Sequence, residues 1–250
     1  MRIILIFTAF VSVLLVGCLD NTQEITIRED GGGVFSSSSD MSQLLGLVRQ
    51  MGMGQDLSQL DNQKMDTVIS LASAADSLPG LTDAERLLVT KASLSVNMNF
   101  GDDLMKAGIR IPFDNAEQAA ILEPISGKLL NDVARRQVGD KLPVGGRQMP
   151  SPSSFEEYYD LKMTPGSIRR TINKERYAKA TEDEFLKGMR ELSGMGLSMK
   201  STYVINLPRP ATKVEGKAVK LSEDKRKATI TIDIDDFFDE PEKLQYLVEY

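Results

Sequence analysis

The sequence predicts an α+β fold, in which a mainly antiparallel sheet built from hairpins has several helices packed on one face. Apolar and polar residues alternate in short segments such as Glu24–Arg28 and Leu197–Ile205, the pattern of half-buried strands. Turn residues join neighbouring segments, as at Thr164–Ser167. Capping boxes predict helices between the hairpins, and the strand–helix–strand alternation of a parallel sheet is absent from the sequence.

The first predicted elements are a hairpin and a helix. The hairpin pairs Glu24–Arg28 with Val34–Ser39 across Gly31–Gly33, because glycine tolerates the positive φ of tight turns. The serine run in the second strand leaves a flexible linker open as the alternative. Asp40 with Gln43 is a capping box that predicts a helix behind it.

A second helix is predicted from Leu60 to Ala75. Its apolar stripe consists of Met65, Val68, Ile69 and Ala72. Thr82 with Glu85 is a further capping box and predicts a short third helix.

Another hairpin is predicted in the middle of the chain. Leu94–Met98 and Ile109–Phe113 alternate in polarity on either side of a turn at Phe100–Asp103. Asp114 with Glu117 then predicts a helix, which should reach about residue 136 and be kinked by its proline.

The C-terminal part is predicted to contain a hairpin and a helix first. Phe155–Met163 and Ile168–Asn173 form the hairpin, across a Pro-Gly turn. Thr181 with Glu184 predicts the start of the helix, and Gly194 its end.

Strands are predicted from there to the end of the chain. Leu197–Ile205 is a long strand that Pro208 stops, since proline donates no ladder hydrogen bond. Lys217–Leu221 and Thr229–Ile234 form a hairpin, and Leu244–Tyr250 is the final strand.

The predicted domain organisation is simple. Residues 18–250 are expected to form a single α+β domain. Residues 138–154 are rich in glycine and proline, which makes them a possible sub-domain boundary.

The N-terminal segment has the pattern of a secretory signal peptide. Arg2 precedes an apolar run that ends at Val16 and is shorter than the roughly 20 residues that span a bilayer. The sequence Leu15-Val16-Gly17-Cys18 resembles the bacterial lipobox. That resemblance implies that a signal peptidase recognises Leu15, Val16 and Gly17 and cuts before Cys18, which becomes lipidated. Residues 1–17 are therefore predicted to be a lipoprotein signal peptide.

Lipidation of Cys18 implies a permanent membrane anchor. The lipobox resemblance implies two or three acyl chains such as palmitate, and two or more chains hold a protein stably. The residue directly after the cysteine is Leu19 and not an aspartate, which favours the outer membrane of a Gram-negative cell. The alternative is an uncleaved anchor helix, but the polar run Asp20–Glu24 follows at once.

Three segments together carry a family resemblance. They are Glu24–Gly33, Tyr203–Pro208 and the hairpin that ends at Ile230–Ile232. Together they resemble a family of Gram-negative envelope lipoproteins and, more distantly, the LppM-type lipoprotein domain. The LppM resemblance implies lipid binding, and neither resemblance brings a catalytic residue.

Composition excludes several classes of enzyme and partner. The 250-residue chain has no His and one Cys, so His-containing triads and His- or thiolate-ligated metal sites are ruled out. Oxygen-ligated cations such as Ca²⁺ are the metals compatible with this composition. The net charge of −6 predicts no broad basic surface, so nucleic acid is not expected as a partner. No cofactor is expected.

The densest acidic group lies near the C-terminus. Asp233, Asp235 and Asp236 are a weak Ca²⁺ candidate. The alternative is a solvated strand end and helix cap, with Phe237 and Phe238 as core residues.

Other charged pairs are expected to be surface residues and not parts of a catalytic site. Arg135-Arg136 and Arg169-Arg170 are expected to be mostly solvated. Glu156 and its neighbour Glu157 would point to opposite faces of a strand, so they cannot form a glycosidase pair by themselves.

The sequence thus predicts a membrane-anchored envelope lipoprotein that acts as a non-enzymatic binding or interaction domain. Its partner would be a protein, a lipid or a glycan, and methionines at core-like spacing allow a Met-lined cleft for an apolar ligand. The alternative is a carboxylate-dependent envelope glycan hydrolase, which needs two carboxyl groups facing each other across a cleft.

Overall fold

The computed structural model describes residues 17–49, 61–73, 75–78, 80–123, 125–127, 129, 155–194 and 197–250. Four sequence predictions lie outside these residues: the signal peptide up to Val16, the boundary at 138–154, the pair Arg135-Arg136, and the proline kink and far end of the helix expected to reach about residue 136. Among the helices of the described part, none combines the length and the apolar character needed to cross a membrane.

The described residues form twelve strands. In chain order they are β1 Gly17–Ile27, β2 Gly33–Asp40, β3 Lys64–Ser70, β4 Ser93–Asn99, β5 Leu104–Phe113, β6 Tyr159–Thr164, β7 Ser167–Ile172, β8 Leu197–Asn206, β9 Lys213–Glu215, β10 Val219–Leu221, β11 Lys227–Asp233 and β12 Tyr246–Glu249.

Six α-helices lie among the same residues. They are α1 Ser42–Val48, α2 Asp83–Thr90, α3 Ala116–Ala120, α4 Lys174–Tyr177, α5 Glu184–Gly194 and α6 Ile234–Asp239. Short 3-10 helices cover Ala75–Ser77, Phe100–Asp102, Phe155–Tyr158, Ala180–Glu182 and Pro241–Leu244.

The strands form two sheets, and the α+β prediction is confirmed. An eight-stranded sheet has the order β10-β11-β8-β1-β2-β5-β4-β3, and a four-stranded antiparallel sheet has the order β6-β7-β12-β9. Within the described residues every neighbouring pair is antiparallel except β1 with β8, which is parallel.

The core lies on one face of the large sheet. Ile111 on β5, Ile205 on β8 and Ile230 on β11 are buried there, together with Ile168 and Val248 of the small sheet. Apolar residues of α2, α5 and α6 belong to the same core cluster. The small sheet and the helices therefore cover a single face, whereas the sequence predicted helices alone on that face.

The first hairpin is confirmed. Gly31 takes a φ of +83°, which favours glycine at this turn. A Cβ at Gly33 would overlap the carbonyl oxygen of Thr26 and the ring of Phe113, so only glycine fits this close approach. The serine run lies in β2, and the linker alternative is wrong.

The predicted helix from Leu60 to Ala75 is wrong. Residues Lys64–Ser70 form β3, which pairs with β4 at the edge of the large sheet. Three consecutive β-branched residues, Thr67 to Ile69, favour a strand because branching at Cβ restricts χ1 in a helix. The helical spacing of the apolar residues was therefore a misleading signal.

The predicted helix starts are partly right. Thr82 and Glu85 form the predicted capping box, with the Thr82 N–H donating to Glu85 Oε2 at 2.7 Å. The cap predicted at Asp40 is wrong: α1 has Met41 at its N-cap with no side-chain hydrogen bond. Asp40 Oδ1 instead accepts from the backbone N–H of Ser42 at 3.0 Å.

Two other caps lie one or two residues later than predicted. Asn115 caps α3 by accepting from the Gln118 N–H at 2.9 Å, where the sequence predicted the residue before it. Asp183 accepts from the Leu186 N–H at 2.9 Å at the start of α5, two residues after the predicted Thr181. Asn and Asp are both favoured N-cap residues, and Asp ranks above Thr.

Candidate functional site

A buried arginine forms the centre of a polar cluster between the two sheets. Arg170 lies on β7, and its side chain is 0% exposed. Its neighbour Arg169 is exposed, because successive residues of a strand point to opposite faces. The prediction that this pair is solvated surface is confirmed for Arg169 and wrong for Arg170.

Three side chains contact the Arg170 guanidinium, and a fourth is hydrogen-bonded to one of them. The carboxylate of Glu123 forms an ion pair with Arg170 Nη2. The guanidinium carbon lies 4.3 Å from the ring centroid of Tyr203 on β8 and 5.5 Å from that of Tyr246 on β12. Tyr203 donates its hydroxyl to Glu156 Oε1 at 2.5 Å. We call these five residues the Arg170 cluster.

Burial fixes the charge state of the cluster. Burial raises the pKa of Glu123, and the Arg170 charge opposes that rise. Burial acts to lower the pKa of Arg170, but Glu123 and the two tyrosines raise it well above its ordinary value. Burial also raises the pKa of Tyr246 to about 12 and that of Tyr203 well above its usual range. At neutral pH the guanidinium is therefore charged and both phenols are protonated.

Several polar atoms of this region have no hydrogen-bond partner among the described residues. They are Gln23 Oε1, Glu156 Oε2, Arg170 Nε and Arg170 Nη1. Gln23, Glu123, Tyr203 and Tyr246 also line a cavity of about 20 Å³ between the sheets. A cavity needs a volume of roughly 10–15 Å³ to hold a water molecule, so this cavity has room for about one.

The rest of the cavity wall is apolar. Ile25 and Phe35 contribute from the large sheet, and Leu161, Met163 and Ile168 from the small sheet. One methionine lines it, which differs from the Met-lined cleft that the sequence allowed. The volume is far below the roughly 300 Å³ at which small-molecule pockets begin.

Sequence reasoning missed this cluster. Glu156 was considered only as half of an adjacent pair on a strand, but it lies on a 3-10 helix and is 6% exposed. The available signal was the alternation in β7, because Arg170 falls two residues after the buried Ile168 and shares its face.

The acidic group near the C-terminus is engaged in capping and ion pairs. Asp233 caps α6 by accepting from the Asp236 N–H at 2.8 Å, and Asp236 pairs with Lys243. Asp235 accepts from Ser193 Oγ at 3.2 Å and lies 3.7 Å from Arg190 Nε. The described part of the chain contains no group of three or more His, Cys, Asp or Glu residues that could hold a metal ion. Asp233 is therefore a helix cap, as the alternative interpretation of this acidic group predicts.

The predicted lipidation site lies at the start of a central strand. Gly17 and Cys18 are the first two residues of β1, and Cys18 pairs with Ser198 of β8. From Asp20 onward β1 is paired on both sides, with β8 and β2. Leu15 and Val16 lie outside the described residues.

Comparisons with known proteins give one structural likeness. The NMR structure of the folded domain of Mycobacterium tuberculosis LppM is similar over 94% of this chain and 91% of its own, with a TM-score of 0.40 and 7% identity. No family model matches the chain, and no curated protein matches it. A likeness at that level carries no argument about the site.

Proposed function

We propose that this protein is an envelope lipoprotein, held on the membrane by acyl chains on Cys18, whose α+β domain binds a partner without catalysis. The observation that carries this proposal is the closeness of the lipobox Leu15-Val16-Gly17-Cys18 to a central strand of the large sheet. Cleavage between Gly17 and Cys18 would keep the part of β1 that is paired on both sides, which includes Asp20 and the residues after it.

The Arg170 cluster supports a binding role over an enzymatic one. A glycan hydrolase needs two carboxyl groups on either side of a site that a sugar can enter. Glu123 pairs with Arg170 beside a cavity sized for a water molecule, and Glu156 is buried and accepts a hydrogen bond from Tyr203. Both carboxyl groups are thus engaged inside the core, so the hydrolase alternative has the weaker support.

The same cavity bears on the kind of partner. An acyl chain or sugar ring has no room in this cavity of about 20 Å³ among the described residues, so we assign partner contacts to the surface of the domain. A protein, lipid or glycan partner fits this assignment, whereas an internal carrier of apolar ligands does not. Lipid that co-purifies in stoichiometric amount with the lipid-free Cys18→Ser protein would contradict it.

The location of the anchor is proposed from the sequence. Leu19 after Cys18 favours transfer to the outer membrane of a Gram-negative cell. Separation of inner and outer membranes by density, followed by immunoblotting, tests this assignment. Recovery in the inner membrane would contradict it without affecting lipidation.

Replacement of Cys18 tests the anchor. Cys18→Ser should move the protein from the membrane pellet to the soluble fraction, because acyl chains contribute about 0.8 kcal/mol per buried methylene group to membrane binding. The matched control is Ser198→Ala at the paired position in β8, which should stay in the pellet. A Cys18→Ser protein that remains tightly in the membrane would contradict the proposal.

An assay on isolated cell-wall glycan tests the enzymatic alternative. We expect no release of reducing ends by the purified protein. Release that is abolished in Glu123→Gln or Glu156→Gln, with the fold retained, would overturn the non-enzymatic assignment.

A further inference from the structure

The predicted anchor leaves almost no free chain between the lipid and the folded sheet. Only Leu19 separates Cys18 from Asp20, which is paired with Asp40 on one side and Lys200 on the other. A strand rises about 3.3 Å per residue, so Asp20 lies within about 7 Å of Cys18 along β1. An acylated Cys18 would hold this end of the sheet directly at the membrane surface.

A row of charged residues crosses the sheet at the level of Asp20. Its charged members, from one side to the other, are Asp233, Lys200, Asp20, Asp40, Lys106 and Asp66. Asn97 lies between the last two, so the row spans seven strands on the face opposite the core. We call this set the charged row.

Charge is concentrated at this level of the sheet. The next row away from Cys18 has threonine on β11, β8 and β1, serine or glycine on β2, β5 and β4, and Val68 on β3. That row carries no charge. In the charged row, Asp20, Lys200, Lys106 and Asp66 are exposed to solvent.

The position of the charged row matches the headgroup layer of a bilayer. A hydrocarbon core of about 30 Å and a total thickness of about 40–45 Å leave roughly 5–8 Å of headgroups on each side. Measured along the strand direction, the row lies about 7 Å from the residue that would enter the membrane with its acyl chains. When Cys18 is anchored, the charged row would therefore lie at the depth of the lipid headgroups.

The signs of the charges suit zwitterionic lipids. Lys200 and Lys106 can donate to phosphate oxygens, and the exposed Asp20 and Asp66 can accept from the ammonium group of phosphatidylethanolamine or lie beside the quaternary ammonium of phosphatidylcholine. Asp40 and Lys106 already pair with each other at 2.8 Å, so part of the row is internally neutral. A surface that selects anionic lipid would instead carry a cluster of Lys and Arg.

We infer that the end of the large sheet at which β1 begins is a membrane-contact surface, with the charged row in the layer of zwitterionic headgroups. The strands then lead away from the bilayer, and the opposite end of the sheet is presented to the surroundings. This inference rests on the proposed lipidation of Cys18. Its new content is the fixed orientation of the domain and the chemical class of lipid that it contacts.

Depth-dependent quenching tests the orientation on the lipidated full-length protein. The natural chain has one cysteine, which is acylated, so Asn97→Cys and Lys227→Cys each give a single site for a fluorophore. Asn97 lies in the charged row, whereas Lys227 pairs with Asn206, which is six residues after Lys200 and therefore about 20 Å from the row along the strand direction. The vesicles contain phosphatidylethanolamine and phosphatidylcholine with a trace of lipid spin-labelled on its headgroup.

We expect quenching at position 97 to be several-fold stronger than at position 227. A twelve-residue Gly/Ser spacer after Leu19 has a root-mean-square length of about 20 Å and should bring the two values together. The same spacer placed in the turn after Glu223 is the matched control and should leave the difference unchanged.

The outcomes separate the orientation from the anchor. If mass spectrometry finds Cys18 without acyl chains, the proposed lipidation is wrong, and the orientation is wrong with it. If Cys18 is acylated but positions 97 and 227 are quenched equally without a spacer, the orientation alone is wrong. Stronger quenching in vesicles of purely anionic lipid than in zwitterionic ones would overturn the assigned lipid class.

Discussion

Two ion pairs in this protein use similar groups in opposite surroundings. Arg170 and Glu123 meet between the sheets with side chains 0% and 10% exposed, whereas Lys106 and Asp40 meet on the outer face at 54% and 37%. Breaking a buried pair leaves an uncompensated charge in the core, while breaking an exposed pair returns both groups to water. The buried pair therefore contributes to the integrity of the fold, and the exposed pair is available to a membrane or partner.

The largest expected effect is that of Arg170→Met. The change leaves Glu123 and Glu156 buried without their counter-charge and removes the stacking on Tyr203. We expect the free energy of unfolding to fall by about 3–5 kcal/mol. Urea titration followed by circular dichroism measures it.

The matched control is the neighbouring Arg169→Met. Arg169 is exposed on the same strand, so this substitution should change stability by no more than about 0.5 kcal/mol. Equal losses from the two variants would show that burial does not distinguish the two arginines.

The pH dependence of stability should also distinguish the two pairs. Burial raises the pKa of Glu123 above its ordinary value of 4.5, so the folded state retains a proton that the unfolded state releases. The contribution of Glu123 to the free energy of unfolding is therefore complete below pH 4.5. It is lost as the pH rises through the pKa that Glu123 has in the folded state. The wild-type protein should therefore lose stability relative to Glu123→Gln as the pH rises, measured by urea titrations across the acid range. A difference that is constant with pH would contradict this prediction.

The smallest expected effect is that of Asp40→Asn. Partial burial acts to raise the pKa of Asp40, but hydrogen bonds from Lys106 and Ser42 lower it overall. Its contribution is present above its ordinary value of 3.8 and is lost as the pH falls through the folded value, the opposite sense to Glu123. At neutral pH the loss should stay below about 1 kcal/mol, because the pair is exposed. A loss as large as that of Arg170→Met in thermal melts would remove the distinction between the two surroundings.

Local patterns predicted the hairpins well. The turn glycine at Gly31 and the Pro165-Gly166 pair have conformational requirements that are visible in sequence, and Gly166 takes a φ of +93°. The helix over Leu60 to Ala75 failed because apolar spacing alone does not separate a helix from a strand with exposed apolar residues. Val68 is 72% exposed on β3, so it did not mark a buried stripe.

The sequence did not predict the long-range strand pairing. β1 pairs in parallel with β8, for example Cys18 with Ser198, and no turn in the sequence indicates this pairing. The second sheet depends on β12 pairing with both β7 and β9. The burial of Arg170 follows from that pairing, because Tyr246 on β12 lies beside it and Tyr203 faces it from the other sheet.

The central claim is that Cys18, two residues before the doubly paired Asp20 of β1, is lipid-modified. Mass spectrometry of the N-terminal peptide, from protein expressed with its own leader in a Gram-negative host, tests it most directly. We predict a peptide that starts at Cys18 and carries the added mass of two or three acyl chains. An unmodified Cys18 thiol, or a chain that still begins at Met1, would contradict the account.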